Sequence, residues 1–427
     1  MFASRTGWAL APNRFSAALD RHRASGREAL DLTESNPTRC GFAYDPALLA
    51  ALADRRGLAY DPHPRGLRAA REAVCGYYQE RGADIDPEQI ILTASTSEGY
   101  SFIFRLLCDP GDEVLVPAPS YPLFEFLASI QDVKLVSYPL LYDHGWQIDL
   151  HGLAEALSPR TRAILVVHPN NPTGSFVKPA AMDVLDALCR ERGLALVADE
   201  VFLDYPHDGV PRASFASSNV APPSRRLSRG RPARASGRRD RGPQNARFWR
   251  SGVGDAGATG QALTFTLSGI SKICALPQMK LAWTVTGGAP ELAREALARL
   301  EVIADTYLSV STPVQLALPD FLAQRDEIQQ QVKERVAANL AELDKQLAAQ
   351  KSVRRLEVEG GWYAVLRVPV TRSDEDLAID LLERHSVIVH PGHFYDFPGE
   401  GYLVVSLITP AEVFVEGATR LLTGFQQ

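Results

Sequence analysis

Three short blocks with reactive or polar side chains follow one another along the chain, each directly after a short apolar run. They are His168–Gly174 (HPNNPTG), Ala198–Phe202 (ADEVF) and Ser268–Lys272 (SGISK), and Lys280 follows eight residues later. A lysine amine can form a Schiff base with a carbonyl group and can move protons as a base. A buried carboxylate such as that of Asp199 can keep a ring nitrogen protonated. The blocks therefore contain residue types suited to covalent amine chemistry.

Short apolar runs bounded by turn residues would hold these blocks in place. They alternate with helical stretches, and the predicted strands are Ile90–Thr93, Glu113–Val116, Leu135–Tyr138, Ala163–Val167, Ala195–Ala198, Thr264–Leu267 and Leu281–Thr286. This alternation predicts βαβ units and a sheet of buried strands. The carboxyl ends of parallel strands in an open α/β sheet converge on one crevice, so loops after different strands can meet around one ligand.

The remaining periodicity is mainly helical, with a second group of strands near the C-terminus. Apolar residues at helical spacing predict helices over Ala11–Arg23, Leu67–Arg81 and Ala317–Ala349. The C-terminal region has a predicted helix at Asp374–His385 and predicted strands at Trp362–Val368, Val387–Val389 and Tyr402–Leu407. This pattern predicts a smaller α+β domain, with the Ala317–Ala349 helix bridging two domains.

Together these patterns predict the α/β class, with a large domain whose mostly parallel sheet is flanked by helices, plus a smaller α+β domain. The large domain is expected at residues 45–288. The small domain is expected to combine residues 1–44, which include an N-terminal arm, with residues 289–427, which include the linking helix. At 427 residues the chain is long enough for both.

One segment of the large domain differs sharply in composition from the rest. Residues 217–261 contain ten arginines against two aspartates, with many Gly, Pro, Ser and Ala. Such a stretch buries too little apolar surface to offset its ordering entropy, so a disordered insertion is predicted. Gly252–Gly257 within it matches the GxGxxG dinucleotide pattern, but no buried strand precedes it. We therefore assign no dinucleotide site there.

Overall composition excludes several classes of protein. With 45% hydrophobic and 22% charged residues, the chain is globular, and a net charge of −6 gives no reason to expect nucleic acid or a membrane as partner. Five widely spaced cysteines without a CxxC pair indicate a reducing cytoplasm. The pair His390 and His393 lacks a third ligand and lies in a Pro-Gly turn, so no metal is expected.

The ordered set of blocks resembles the fold-type I pyridoxal-phosphate-dependent aminotransferases of class I and II, which include aspartate and alanine aminotransferases. The resemblance covers nearly the whole chain outside the Arg-rich segment. It implies that Lys272 is the Schiff-base lysine, that Asp199 binds the pyridine nitrogen and that Asn171 binds the ring hydroxyl. Pyridoxal 5'-phosphate is the cofactor that the resemblance implies.

Further cofactor contacts follow from the same resemblance. The turn Thr93–Glu98 is similar to the phosphate-binding turn that opens a helix, and Tyr121 is similar to the aromatic residue that stacks on the ring. Tyr60 resembles the tyrosine that reaches the phosphate of the neighbouring subunit. The phosphate contacts expected on these grounds are Ser95, Thr96, Ser268, Lys280 and Tyr60. Backbone N–H groups at a helix start suit a phosphate dianion.

The chain departs from the family pattern at two positions near the expected site. Phe202 lies where most members have a tyrosine that donates to the ring oxygen, and Phe202 cannot donate. Val404 lies where members usually have an arginine that clamps the substrate carboxylate. Arg367 and Asn36, the latter in a turn resembling the substrate-gate loop, are the candidate replacements for substrate binding.

The resemblance implies an aminotransferase that moves an amino group between an amino acid and a 2-oxo acid by a ping-pong mechanism. The alternatives are another reaction on the same cofactor, such as C–S or β-elimination or decarboxylation, or an inactive paralogue. A DNA-binding regulator is disfavoured because there is no room for a helix-turn-helix before Ala11. The resemblance also implies a homodimer, with Tyr60 and Asp305–Ser309 at the subunit interface.

Overall fold

Most of the chain is described by a computed structural model, which covers residues 1–122, 124–210, 212–219 and 261–425. The GxGxxG match and all but the ends of the predicted insertion at 217–261 lie outside these residues. No helix in the described ranges is long and apolar enough to cross a bilayer.

An eight-stranded sheet forms the centre of the structure and confirms the α/β class. Its strands, in chain order, are β2 (Ile90–Thr93), β3 (Glu113–Ala118), β4 (Lys134–Tyr142), β5 (Trp146–Ile148), β6 (Thr161–Val167), β7 (Ala195–Asp199), β8 (Thr264–Gly269) and β9 (Ala282–Gly287). Their spatial order is β2-β9-β8-β7-β6-β3-β4-β5. The run from β8 to β4 is parallel, whereas β9 is antiparallel to both of its neighbours. All seven predicted strands are present.

Helices cover both faces of this sheet, which is why its central strands are apolar throughout rather than alternating. The helices are α1 (Arg14–Ala24), α2 (Ala47–Ala50), α3 (Arg68–Gln79), α4 (Thr96–Leu107), α5 (Phe124–Ile130), α6 (Leu150–Glu155), α7 (Pro179–Arg192), α8 (Ile270–Ile273), α9 (Pro290–Asp305), α10 (Thr312–Ala323), α11 (Arg325–Ala348), α12 (Asp374–His385) and α13 (Ala411–Thr423). Local signals set their ends. For example, α7 has Pro179 in its first turn and stops at Gly193, whose φ is +65°.

The predicted bridging helix is two helices rather than one. α10 and α11 are separated at Gln324, whose backbone leaves the helical region at φ −96° and ψ 3°. Arg325 follows the break directly, and its buried guanidinium pairs with Glu80 and donates to the Leu322 carbonyl at the end of α10. The helical spacing of apolar residues continues through this break, so the sequence predicted one helix where the structure has two.

A second, four-stranded antiparallel sheet forms near the C-terminus. It has the order β10 (Arg354–Arg355), β11 (Tyr363–Arg367), β14 (Tyr402–Ser406) and β13 (His390–Pro391), and a separate pair joins β1 (Leu30–Asp31) to β12 (Val387–Ile388). The predicted helix at Asp374–His385 has the predicted bounds. The division into domains at 45–288 and at 1–44 with 289–427 stays a prediction.

Candidate active site

A cavity of about 260 Å³ lies where the predicted blocks meet, at the carboxyl ends of β7 and β8. Strand ends, the start of α4 and one residue of the smaller sheet contribute side chains to it. Its polar and aromatic lining residues are Ser35, Ser95, Thr96, Ser97, Tyr121, Phe124, Asn171, Asp199, Phe202, Ser271, Lys272, Lys280 and Tyr363. The crevice predicted from strand topology therefore exists, and three separate blocks supply its walls.

Lys272 lies on the one-turn helix α8 directly after β8. The turn packs tightly because a Cβ on Gly269 would come within 2.8 Å of the Ala282 Cβ on the neighbouring strand. Tyr205 fixes the backbone by donating its hydroxyl to the Lys272 carbonyl at 2.7 Å. These contacts hold the lysine at a defined place on the cavity wall.

The amine of Lys272 lies among aromatic rings rather than carboxylates. Its Nζ is 4.9 Å from the ring centroid of Trp362 and 5.4 Å from that of Phe202. Burial lowers the pKa of Lys272 to about 8, because removal from water disfavours the ammonium form, while the negative charge of Asp199 opposes this shift. The neutral amine is therefore a minor but substantial form near physiological pH, far more populated than in an ordinary lysine.

Asp199 ends β7 and has two hydrogen-bond donors. The Val201 N–H donates to its Oδ1 at 3.0 Å, and the Tyr100 hydroxyl donates to its Oδ2 at 2.6 Å. Burial raises the pKa of Asp199, and the hydrogen bond from Tyr100 opposes that rise. A buried carboxylate held by donors in this way suits a cationic N–H partner on the cavity side.

The first turn of α4 forms the other end of the cavity. Ser95 is its N-cap, and its Oγ accepts from the Glu98 N–H at 3.1 Å, while a Glu98 carboxylate oxygen accepts from the Ala94 N–H at 2.7 Å. Ser95, Thr96 and Ser97 line the cavity at the positive end of the helix dipole. Lys280, which also lines the cavity, adds a cationic side chain. This end suits an anion such as a phosphate.

The HPNNPTG turn brings Asn171 to the cavity. The preceding Asn170 holds the turn in place, because its Nδ2 donates to the Pro119 carbonyl at 3.0 Å and to Thr173 Oγ1 at 2.9 Å. Asn171 Oδ1 is buried and has no hydrogen-bond partner among the described residues. An unpaired buried amide oxygen at a cavity wall is consistent with a ligand that supplies the missing contact.

The turn and the residues just after it also contact the segment 358–361, which leads into β11. The Phe176 N–H donates to a Glu359 carboxylate oxygen at 2.9 Å, and the His207 N–H donates to the Glu359 carbonyl at 2.8 Å. Gly174 has a φ of +69°, and a Cβ there would lie 2.4 Å from the Gly360 carbonyl oxygen. Only glycine fits at this contact between the turn and the smaller sheet.

Four of the predicted residues do not line this cavity. The Ser268 hydroxyl points to the Glu200 carbonyl at 3.5 Å. The Asn36 Oδ1 accepts from the Thr38 N–H at 3.1 Å. Arg367 lies at the far end of β11, where it donates to the Glu400 carbonyl and its guanidinium stacks 4.3 Å from the centroid of the Tyr402 ring. Tyr60 is 83% exposed on the outer surface.

Val404 has uncharged residues directly opposite it in the smaller sheet. Directly opposite residues of antiparallel strands share a face, and Val404 is opposite Val365 on one side and His390 on the other. His390 Nδ1 is 2.9 Å from the Tyr395 hydroxyl, and burial lowers the pKa of His390 to about 4, so this histidine is neutral. Tyr363, two residues before Val365, is on the same face and reaches the cavity.

Several lining residues were not among those predicted. Ser271 precedes the lysine directly, but its sequence position alone does not tell it apart from Ser268. Ser35 lies in the turn that resembles the substrate-gate loop, where Asn36 was chosen instead, and Tyr363 comes from a distant part of the chain. Tyr100 was not predicted either: it does not line the cavity but contacts Asp199, and it lies four residues after Thr96 on α4, so the two residues are on the same side of the helix.

The protein is of the α/β class, and a buried lysine, a buried aspartate, an amide oxygen without a partner among the described residues and a helix N-terminus surround one cavity that suits an anionic ligand. The chain belongs to the aminotransferase class I and II family, whose model matches residues 43–415. It is an aminotransferase.

Curated relatives and solved structures agree with this family. The chain is 25% identical to the glutamate-pyruvate aminotransferase AlaA of Escherichia coli (strain K12) over 419 residues, covering 95% of this chain and 93% of that protein. It is 25% identical to an alanine aminotransferase of Mycobacterium tuberculosis (strain H37Rv), covering 90% of this chain and 82% of that protein. An alanine aminotransferase from Pyrococcus furiosus has the same fold, with a TM-score of 0.82 at 20% identity and complete coverage of both chains.

Proposed function

We propose that the protein binds pyridoxal phosphate covalently through Lys272 and exchanges an amino group between an amino acid and a 2-oxo acid in two half-reactions. The observation that carries this proposal is the position of the Lys272 amine, which is buried and has a pKa lowered to about 8 in a cavity shared with Asp199. Pyridoxal phosphate, when bound, supplies an aldehyde for amine exchange and a ring that takes up the electrons released at the substrate Cα.

The lining residues divide into two groups that fit the two ends of this cofactor. Asp199 and Asn171 would hold the ring nitrogen and the ring hydroxyl. The N-terminus of α4 with Ser95 and Thr96, together with Lys280, would hold the phosphate. Tyr121 lines the cavity, where its ring can cover a planar ligand. Each end of the cavity thus has the charge that the matching end of the cofactor requires.

Lys272 would act as the proton carrier at the substrate Cα. A base works best when its pKa lies near the working pH, and the lowered pKa of Lys272 meets this condition. The rings of Phe202 and Trp362 flank the amine and exclude water from it. Phe202 cannot donate to the ring oxygen, which leaves Asn171 as the proposed contact for that atom.

The proposed substrates are small amino acids with pyruvate or another 2-oxo acid, because the named relatives act on glutamate, pyruvate or alanine. Neither Arg367 nor Asn36 lines the cavity, so we propose that the hydroxyls of Ser35 and Tyr363 bind the substrate carboxylate. The binding site for the substrate carboxylate would then use neutral hydroxyl donors in place of a guanidinium.

The test is borohydride reduction of the purified protein with bound pyridoxal phosphate, followed by peptide mapping. We expect a phosphopyridoxyl adduct at Lys272, and an adduct at another lysine would refute the assignment. In a separate, unreduced sample, incubation with alanine in the absence of an oxo acid should give pyruvate and pyridoxamine phosphate in equal amounts. Release of CO₂ from alanine would instead indicate decarboxylation, and release of ammonia and pyruvate from cysteine or serine, which carry a leaving group on Cβ, without pyridoxamine phosphate would indicate elimination.

The rate of cofactor capture should depend on pH through Lys272. Only the neutral amine attacks the aldehyde, and its pKa of about 8 lies well below the usual lysine value of about 10.4. We therefore expect the rate of visible-band formation by cofactor-free protein to rise as the pH passes through about 8. Asp199→Asn should move this midpoint to lower pH, because it removes a negative charge that favours the ammonium form. A midpoint near 10 would contradict the lowered pKa.

We also propose a homodimer in which Tyr60 reaches the partner's site. Tyr60 lines a shallow pocket together with Leu308, and Leu58, Val302 and Tyr307, which are close to these two residues in sequence or on the adjoining helix, also expose large apolar side chains. A hydroxyl that is exposed on its own chain and absent from its own cavity is suited to contact a second copy. The unpaired state of all five cysteines supports a cytoplasmic location. We propose neither a nucleic acid nor a membrane as partner.

A subunit-mixing experiment tests the shared site. Lys272→Ala and Tyr60→Ala subunits should each be impaired alone, but their mixed dimer contains one site with Lys272 from one chain and Tyr60 from the other. Activity should therefore rise when the two variants are unfolded and refolded together. Lys272→Ala mixed with Tyr121→Ala serves as the control, because Tyr121 and Lys272 line the same chain's cavity and no complete site can form. Equal behaviour of the two mixtures would refute a contribution of Tyr60 across the interface.

A further inference from the structure

Tyr100 makes the shortest described contact with the Asp199 carboxylate. The residue lies one turn into α4 and is buried, and its ring packs edge-on against Phe124 at a centroid distance of 5.3 Å and tilted against Phe104 at 6.1 Å. Its hydroxyl donates to Asp199 Oδ2 at 2.6 Å. The surrounding rings leave the hydroxyl facing the carboxylate.

The direction of this hydrogen bond is fixed by the environment of both groups. Burial and the nearby negative charge of Asp199 raise the pKa of Tyr100 well above its usual value, so the phenol keeps its proton. The phenol therefore donates and the carboxylate accepts. Among the described residues, the other donor to this carboxylate is the Val201 N–H, which binds Oδ1. Tyr100 is thus the side chain that fixes Oδ2.

We propose that Tyr100 is a positioning residue for Asp199. Its hydroxyl holds the Asp199 carboxylate in one orientation and keeps it ionised for contact with the ring nitrogen of the cofactor. This inference rests on the proposed function. The family resemblance assigns Asp199 its role but gives none to Tyr100. Loss of the phenol would leave Asp199 with a backbone donor alone, so its ionised form would be less favoured and its hold on a protonated ring nitrogen would weaken.

The test compares equilibrium binding of two cofactors to cofactor-free wild type and Tyr100→Phe. One is pyridoxal phosphate, and the other is its carbocyclic analogue, in which C–H replaces the ring nitrogen. Tyr138→Phe is the matched control, because Tyr138 is also buried and its hydroxyl donates to the Leu165 carbonyl at 2.8 Å, away from Asp199. Thermal unfolding of the cofactor-free proteins checks that each variant folds.

We expect Tyr100→Phe to weaken pyridoxal phosphate binding by about tenfold, as for loss of one hydrogen bond to a charged group, and to change binding of the carbocyclic analogue by less than about twofold. In an Asp199→Asn background the same substitution should have no further effect. Equal losses for both cofactors, or unchanged binding of pyridoxal phosphate, would overturn the inference. Failure of the wild type to form a visible band would instead refute the proposed function.

Discussion

Lys272→Ala is expected to reduce amino-group transfer by at least about 10³-fold, because the substitution removes both the covalent attachment of the cofactor and the base at Cα. The Lys272 amine is close to the rings of Trp362 and Phe202, and the other lysine among the described lining residues is Lys280, which we assign to the phosphate end of the cavity. Single-turnover conversion of alanine to pyruvate, followed through the cofactor absorption, measures the effect.

Chemical rescue separates this role from a structural one. Added methylamine should restore part of the Lys272→Ala rate, because a free amine can enter the space that the side chain leaves and carry the proton. Lys272→Arg fills that space with a cation that keeps its proton, so methylamine should not rescue it. A Lys272→Ala protein with wild-type turnover would remove the basis of the proposed mechanism.

Asp199→Asn is expected to lower kcat/KM for amino-group transfer by about 10²-fold or more, because a neutral amide no longer favours a protonated ring nitrogen. The fall should appear even when the cofactor is saturating. Steady-state kinetics at several concentrations of pyridoxal phosphate distinguish a loss of chemistry from a loss of cofactor.

Glu200→Gln provides the matched control for Asp199→Asn. Glu200 is the adjacent acid and is also buried, but its carboxylate accepts from the Ser214 hydroxyl and the Phe215 N–H, each at 2.6 Å, on the side away from the cavity. The glutamine Oε1 can still accept from the Phe215 N–H, and its amide N–H can donate to the Ser214 hydroxyl, so cofactor chemistry should change little. A loss of similar size in both variants would show that altering any buried acid here disturbs the site.

The sheet was predictable because its strands are buried on both faces and bounded by turn residues. Ile90–Thr93 has its predicted bounds, and Thr264–Gly269 extends its predicted strand by two residues. β5 was missed because Trp146–Ile148 has only three residues, too few for a periodic signal. The break at Gln324 was missed because the apolar spacing continues through it and because the contact made there by Arg325 is with Glu80, at the end of α3, which is distant in sequence.

The site was predictable only where chemistry and sequence order coincide. Lys272, Asp199 and Asn171 follow strands whose ends converge, so topology brings them together. Arg367 was a reasonable candidate by residue type and shares a face of β11 with Tyr363, but it lies four residues further along the strand and outside the cavity. Tyr363 depends on how the smaller sheet packs against the larger one, and the sequence does not encode that packing locally.

The contact between Gly174 and Gly360 also constrains how the two sheets can move. The HPNNPTG turn meets the segment 358–361 at Gly174, which contacts the Val358 side chain and the Gly360 carbonyl, and just after the turn the Phe176 N–H donates to the Glu359 carboxylate. A rigid-body rotation of the smaller sheet must therefore pivot at this joint. Displacement on substrate binding is expected to be small at Asn171 and to increase along β11, so that Arg367 travels furthest while the cofactor end of the cavity stays still.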